Sequence, residues 1–216
     1  MKITSNPKRK NILDTIHFAG KEILIRNLRG KKDVFNQIKK IHLDNKDRLK
    51  ETKSKCEGIL KEKEKKFLNE LKTIFEVDLN NDKIVNINAF FDYNIANVID
   101  GKNIFINIWS KDWLNYFLFH ELVHLYYIDA LENLKFKEIN EAVKSPLMEG
   151  IDHLILFKTP IKKLFLTPNY EDVGFVVKNK KFMDELEEKW INGHSFNSFL
   201  KKAVKIQRKT KGVIIC

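Results

Sequence analysis

The chain has 216 residues, a formal net charge of +11 and only two cysteines, Cys56 and Cys216. A chain of this length can bury a sizeable core without disulfide staples, and the cysteine spacing fits neither a disulfide framework nor a Cys-x-x-Cys metal site. The amino terminus lacks the apolar segment of a secretory signal, and no window approaches the roughly 18 uncharged apolar residues of a membrane span. We therefore expect a soluble, cytoplasmic protein.

The positive charge is concentrated near the amino terminus. Residues 1–75 hold 21 Lys and Arg against 10 Asp and Glu, a difference equal to the whole net charge, and the remaining 141 residues balance at 19 against 19. A basic region is typical of proteins that bind nucleic acid, but the same composition follows from an AT-biased genome. The region has no interleaved aromatic residues for base stacking and no recognisable reader motif. Nucleic acid is kept as an alternative partner.

Residues 11–75 are nearly free of Gly and Pro and rich in Lys, Glu, Leu and Ile, which favours helices. The clearest helix is predicted from Lys46 to Phe75. Its apolar residues recur at three- and four-residue spacing and form a stripe: Leu49, Cys56, Leu60, Phe67, Leu71 and Ile74. Because such a stripe has to be covered, we expect it to pack on the rest of the protein, with the charged residues on a solvated face.

Short runs of Ile, Val and Phe between Asp78 and Ser110 predict strands. The hairpin candidate consists of Ile95–Ile99, the Asp100-Gly101 turn and Asn103–Ile108. Alternate residues of the second arm are isoleucines, so one face of that strand is aliphatic and is expected to pack.

The second half of the chain predicts further helices. The first begins near Ser110, a plausible N-cap, and continues to about Leu134. The others are expected at Lys137–Lys144, from Ser145-Pro146, at Lys180–Ile191 and from Ser195. The stretch after Pro160 is rich in loops, and the chain ends in a basic tail.

His120 and His124 belong to the segment His120-Glu121-Leu122-Val123-His124. On a helix, side chains four residues apart emerge from the same face one turn apart, so both imidazoles can reach one metal ion. Two neutral imidazoles hold Zn²⁺, the ion lowers the pKa of its water to about 7, and Glu121 is placed to take the proton as general base. The H-E-x-x-H spacing therefore predicts a hydrolytic zinc site.

The residues that flank the motif between Leu118 and Tyr126 are uncharged and mostly large, which is typical of a helix buried nearly all round. Two histidines and a glutamate in that setting would cost several kcal/mol if unpaired, and a metal ion satisfies all three. The alternative is a core helix whose histidines bind only backbone groups. That alternative leaves the shared register of the three polar residues unexplained.

The segment Phe119–Leu125, preceded by a strand after a glycine turn, resembles the strand and active-site helix of the zincin metallopeptidases. The resemblance implies an α+β fold that is mainly helical, with a small mixed or antiparallel sheet packed on the H-E-x-x-H helix. It places a zincin-like domain with C-terminal helices in residues 81–216, after a helical amino-terminal region in residues 1–80. It also makes Asn103–Ile108 the candidate edge strand to which a peptide substrate pairs.

The third metal ligand distinguishes the branches of the zincins. The metzincin pattern requires Gly and then His soon after the second histidine, but Tyr127 and Ala130 occupy those positions. The chain instead resembles a small gluzincin with a minimal catalytic core, in which a glutamate of the next major helix is the third ligand. Glu149 is the preferred candidate, because its apolar neighbours predict a largely buried helix on which a carboxylate needs a cation.

Glu138 and Glu141 are rival third ligands, since both fall within the gap that the family tolerates. They lie among lysines, where a solvated helix face explains them adequately. Gluzincins often carry an acid one turn beyond the ligand glutamate that orients a ligand histidine. Here the fourth residue after Glu149 is His153, and the acid, Asp152, comes one place early.

Peptide hydrolysis also requires a donor for the developing oxyanion, which in the family is usually a Tyr or His. Tyr170 and His194 are the candidates in loop-like sequence. Tyr126 and Tyr127 lie on the motif helix and are expected in the core.

The expected function is zinc-dependent hydrolysis of peptide bonds in a peptide or protein substrate. His120, His124 and Glu149 are the expected ligands, and Glu121 is the expected base. The alternative is a non-catalytic zinc-containing protein, or a basic helical protein that binds nucleic acid or a protein partner. A glutamate at position 121 argues against a purely structural site, because such sites close with four protein ligands and need no base.

Overall fold

The computed structural model of the chain describes residues 2–4, 40, 43–80, 83–88, 96–99, 103–107, 113–191 and 195–210. The helices are α1 (Lys46–Phe75), α2 (Leu114–Asn133), α3 (Ile139–Ala142), α4 (Ser145–Lys158), α5 (Gly174–Lys178), α6 (Lys180–Ile191) and α7 (Phe196–Lys209). Two 3₁₀ helices, Pro160–Leu164 and Tyr170–Asp172, follow α4. The strands are β1 (Lys2–Thr4), β2 (Ile84–Asn88), β3 (Ala96–Ile99) and β4 (Asn103–Asn107). The protein is mainly helical, which confirms that part of the expected fold class.

The described chain divides into two compact units. The first contains Met1–Glu62 and Asn81–Glu121, and the second contains Lys63–Asn80 and Leu122–Cys216. The boundaries fall inside α1 and α2, so each of these helices contributes residues to both units. The division of the chain near residue 80 that the sequence suggests stays a prediction.

The strands belong to the first unit and pair in the order β1-β2-β4-β3. β2 is parallel to β1 and to β4, whereas β3 is antiparallel to β4. Val85 lies opposite Ile104 and Ile87 opposite Ile106, and all four side chains are fully buried. These aliphatic pairs form one packed face, because alternate residues of a strand point to the same side.

The prediction that Asn103–Ile108 forms a free sheet edge is wrong. β4 pairs with β2 on one side and with β3 on the other, so both sides of its backbone are already hydrogen-bonded. A substrate strand needs an unpaired edge to join. The Asp100-Gly101 turn and the N-cap candidate Ser110 lie outside the described residues. A zincin-like packing of the strands on the motif helix stays a prediction.

Helix α1 has the bounds that its sequence predicts. Five residues of the predicted stripe are buried, namely Leu49, Cys56, Leu60, Phe67 and Leu71. Several exposed lysines pair with acids one turn away, as between Lys55 and Glu51 at 2.7 Å and between Lys53 and Glu57 at 3.5 Å. None of the described helices is both long enough and apolar enough to cross a membrane.

Helix α4 is the central helix of the second unit and contacts α3, α5, α6, α7 and the first 3₁₀ helix. Leu147, Ile151, Leu154 and Ile155 are among its fully buried residues. They recur at three- and four-residue spacing and form the apolar stripe by which a helix enters a core. The Tyr127 hydroxyl donates a hydrogen bond of 3.1 Å to the carbonyl of Ala142 and so joins the later part of α2 to α3.

Gly150 allows α4 to pack closely against α6. A Cβ at this position would lie 2.7 Å from Leu186 Cδ1 and 3.0 Å from Phe182 Cε1. Both side chains are buried, so they have little room to rotate away. The sequence therefore needs glycine here although glycine weakens a helix interior.

We expect Gly150→Ala to lower the free energy of unfolding. Overpacking a core typically costs about 1–3 kcal/mol, which exceeds the gain in helix propensity of up to about 1 kcal/mol. Urea unfolding followed by circular dichroism measures the change. The matched control is Gly58→Ala on α1, where nothing lies within 4 Å of the new Cβ and stability should rise. Equal stabilisation by the two substitutions would contradict the close packing at Gly150.

Candidate metal centre

The motif helix α2 is buried around its whole circumference at the motif. Every residue from Leu118 to Tyr127 is buried, and His120, Glu121 and His124 are only 8%, 6% and 4% exposed. The surrounding apolar side chains leave little water to solvate these polar groups. Each of the three polar side chains therefore requires a partner inside the protein.

His120 and His124 lie one turn apart on α2, as their spacing predicts. One ring nitrogen of His120 lies within 4.8 Å of one ring nitrogen of His124. The Glu121 Oε1 atom lies 3.9 Å from His120 Nε2, and the ring of Tyr116 lies 5.5 Å from the His120 ring. The two imidazoles are thus close enough to share an ion, with the Glu121 carboxylate beside the first of them.

His124 has an acid from α4 against each ring nitrogen. Its Nε2 atom lies 3.4 Å from Glu149 Oε1, and its Nδ1 atom contacts Asp152 Oδ2. Burial alone would lower the pKa of His124, but the charge of Asp152 and the hydrogen bonds to both acids raise that pKa well above its ordinary value. The two carboxylates therefore favour the protonated form of the ring, against the effect of burial.

Asp152 is fully buried on α4. Burial raises the pKa of its carboxyl to about 6, although His124 acts in the opposite direction. The side chain comes one place earlier than the family pattern suggests, yet it reaches the histidine. The reason is that residues three and four positions along a helix both share a face with the first.

Glu149 is the acid that faces His124 Nε2, and its side chain is 27% exposed. The two rival glutamates make surface ion pairs instead. Glu141 pairs with Lys144 at 2.7 Å, and Glu138 pairs with Arg208 at 3.1 Å. Of these three acids, Glu149 is the one with a described contact to a motif histidine.

His153 is a further histidine on α4 beside Glu149, and the sequence analysis does not identify it as a site residue. It is 2% exposed, and its Nδ1 atom lies 2.5 Å from the backbone carbonyl oxygen of Glu149. Its ring stacks with those of Phe157 and Phe175, at 6.2 Å and 5.5 Å between centroids. The four-residue spacing between Glu149 and His153 could have identified His153 from the sequence, since side chains at positions i and i+4 lie on one face of a helix.

Tyr170 packs near the carboxyl end of α4. Its ring lies 5.6 Å from that of Phe157, and the Lys158 ammonium lies 4.4 Å from its centroid. Burial, with the nearby acids, raises the pKa of the Tyr170 hydroxyl. The role of Tyr170 as oxyanion donor stays a prediction.

His194 lies outside the described residues. Its role as an oxyanion donor therefore stays a prediction as well. The two tyrosines of the motif helix, Tyr126 and Tyr127, are fully buried, as expected for core residues.

Comparison of the chain with protein-family models, with curated proteins and with solved structures found no match. Membership of a family is therefore not shown. The likeness to zincin peptidases depends on the H-E-x-x-H segment and on the acids that follow it.

Proposed function

We propose that the protein is a zinc-dependent metallopeptidase whose metal ligands are His120, His124 and Glu149. The proposal depends on the two contacts of His124, with Glu149 at one ring nitrogen and Asp152 at the other. A histidine that binds metal almost always donates its second ring N–H to a carboxylate, a carbonyl or water, which fixes the tautomer and the ring orientation. The contact between His124 Nδ1 and Asp152 supports such an orientation of the ring, in which Nε2 is the atom that would bind the metal.

The donor atoms fit zinc. Zinc binds imidazole nitrogen and carboxylate oxygen, and catalytic zinc sites use three protein ligands and keep one position open. The partial exposure of Glu149, beside the nearly buried His124, supports an opening to solvent on that side. When bound, the ion acts as a Lewis acid that polarises a carbonyl group and lowers the pKa of a water molecule.

Glu121 is the general base of the proposed reaction. It follows His120 directly, so it points about 100° further round the helix and is not one of the ligands. Its carboxylate nevertheless lies 3.9 Å from His120 Nε2. A zinc ion held by the ligands would supply an activated water, and Glu121 would accept a proton from it and donate one to the leaving amine, which is the usual exchange of roles between base and acid.

The substrate class follows from the resemblance to zincins, in which the H-E-x-x-H helix serves peptide-bond hydrolysis. Water is the nucleophile, so no serine or cysteine beside a base is required. The state of Cys56 is consistent with a water nucleophile, because burial raises the pKa of its thiol to about 12 and keeps the thiol unreactive. A peptide or protein is therefore the proposed substrate.

The basic charge of the amino-terminal region receives no separate function in this proposal. Exposed lysines of α1 are within ion-pair distance of acids on the same helix, including Lys50 with Asp47 at 3.8 Å. Pairs of this kind are typical of a solvated helix face.

The proposal is tested by metal analysis of the purified wild-type protein beside His124→Ala. We expect about one zinc ion per wild-type chain, since two helical histidines and one acid form a single site. The substitution removes one ligand and should abolish stoichiometric binding, and chelation of the wild-type metal should stop hydrolysis of an unfolded protein substrate. Circular dichroism shows whether the variant is folded. A wild-type protein that binds no divalent metal would contradict the proposal.

A further inference from the structure

His153 lies on the same face of α4 as Glu149, one turn further along. One of its ring nitrogens lies within 4.8 Å of a carboxylate oxygen of Glu149. The same carboxylate contacts His124 Nε2. An imidazole therefore stands beside the proposed third ligand, on the side of α4 that faces the motif histidine.

The hydrogen bond of His153 determines which nitrogen can bind a metal. A carbonyl oxygen only accepts hydrogen bonds, so the contact between Nδ1 and the Glu149 carbonyl requires the proton to be on Nδ1. In the neutral ring the lone pair is then on Nε2. A backbone carbonyl that binds Nδ1–H is a common way of orienting the Nε2 atom of a metal ligand.

The surroundings of His153 hold its ring in one orientation. The rings of Phe157 and Phe175 stack on it with interplanar angles of 10° and 20°. Together with the hydrogen bond at Nδ1, they restrict both torsion angles of the side chain. Preorganisation of this kind is expected of a ligand, because it lowers the entropy lost when the metal binds.

We infer that His153 is a fourth protein ligand of the metal ion, binding through Nε2. The inference depends on the proposed metal site and extends it from two imidazoles to three. The donor set is then three imidazole nitrogens with the Glu149 carboxylate. Four protein ligands would fill the position that a three-ligand site keeps open, so a water molecule would have to enter as a fifth ligand, a coordination number to which catalytic zinc sites can expand.

The first test needs no substitution. X-ray absorption spectroscopy of the zinc-loaded wild-type protein counts the imidazoles bound to the ion by their multiple scattering. The result expected from His120, His124 and His153 is three imidazoles. A count of two would overturn the inference and leave the proposed function standing, whereas a wild-type protein that binds no zinc would contradict both.

The second test replaces His153 by phenylalanine, which keeps an aromatic ring against Phe157 and Phe175 but removes both ring nitrogens. We expect His153→Phe to bind Co²⁺ at least about tenfold more weakly than the wild type, since even the loss of an outer-shell partner costs 10–100-fold. The d–d absorption bands of bound Co²⁺ should also change in position and intensity, because these bands report coordination number.

The matched control is Phe175→Leu, which disturbs the stacking but keeps the imidazole. It should lose much less Co²⁺ affinity than His153→Phe, because only the preorganisation of the ring is weakened, and it should keep the spectrum of the wild type. If both variants lose affinity equally, packing rather than coordination is responsible and the inference fails. An affinity and spectrum of His153→Phe identical to those of the wild type would overturn it too.

Discussion

Glu121→Gln should remove most of the hydrolytic activity and leave the metal content unchanged. Glutamine has nearly the shape of glutamate but cannot accept a proton, and loss of a positioned general base typically lowers the rate about 10²–10⁴-fold. The metal should remain because His120, His124 and Glu149 are intact. The turnover of a labelled unfolded protein and the zinc content per chain are measured on the same sample.

The control for this substitution is Glu132→Gln. Glu132 lies on the same helix but is exposed, so the change alters the charge of α2 equally without touching the motif. It should keep both the rate and the zinc. Loss of zinc from Glu121→Gln would make Glu121 a ligand, and an unchanged rate in a zinc-loaded variant would show that it is not the base.

The helices could be predicted well because their signals are local. α1 has the predicted bounds, and α4 begins at Ser145 with proline in its first turn. The last helix follows Ser195, whose hydroxyl accepts a hydrogen bond of 3.3 Å from the Ser198 amide. Spacing, N-caps and glycine content act within a few residues, so one sequence contains them in full.

The short elements after Pro160 were not predicted. The sequence indicates loops there, but two 3₁₀ helices and α5 are present. Single turns of this length have no stretch of apolar periodicity to detect, and they are stabilised by local contacts. The capping of the turn at Tyr170 by Asn169 and Asp172 is one example.

The partners of the motif could be predicted only in part. The spacing of His120 and His124 follows from one helix, and the apolar neighbours of Glu149 in the sequence favour it as the third ligand. Which acid meets the far side of His124 depends on the rotation of α4 about its axis. That rotation is set by packing, such as the close approach at Gly150 to α6, and not by the spacing of the acids.

Substitution of the proposed third ligand, Glu149, should have the second large effect, a loss of zinc affinity. Loss of a residue that only hydrogen-bonds to a metal ligand typically weakens metal binding about 10–100-fold. Glu149→Gln should weaken zinc binding by more than that, because a neutral amide replaces an anionic ligand. The affinity is measured by competition with a chelator of known strength. Hydrolysis should fall in proportion to the zinc that is lost, and excess zinc should restore part of it.

Glu141→Gln is the matched control, because the substitution is the same and the residue was a rival for the same role. Its carboxylate pairs with Lys144 at the surface, where an ion pair contributes at most about 1 kcal/mol. Zinc affinity should therefore be that of the wild type. The opposite pattern, with zinc lost from Glu141→Gln and retained by Glu149→Gln, would assign the third ligand to Glu141. In that case the contact between Glu149 and His124 would serve only to pair a buried imidazolium with an acid.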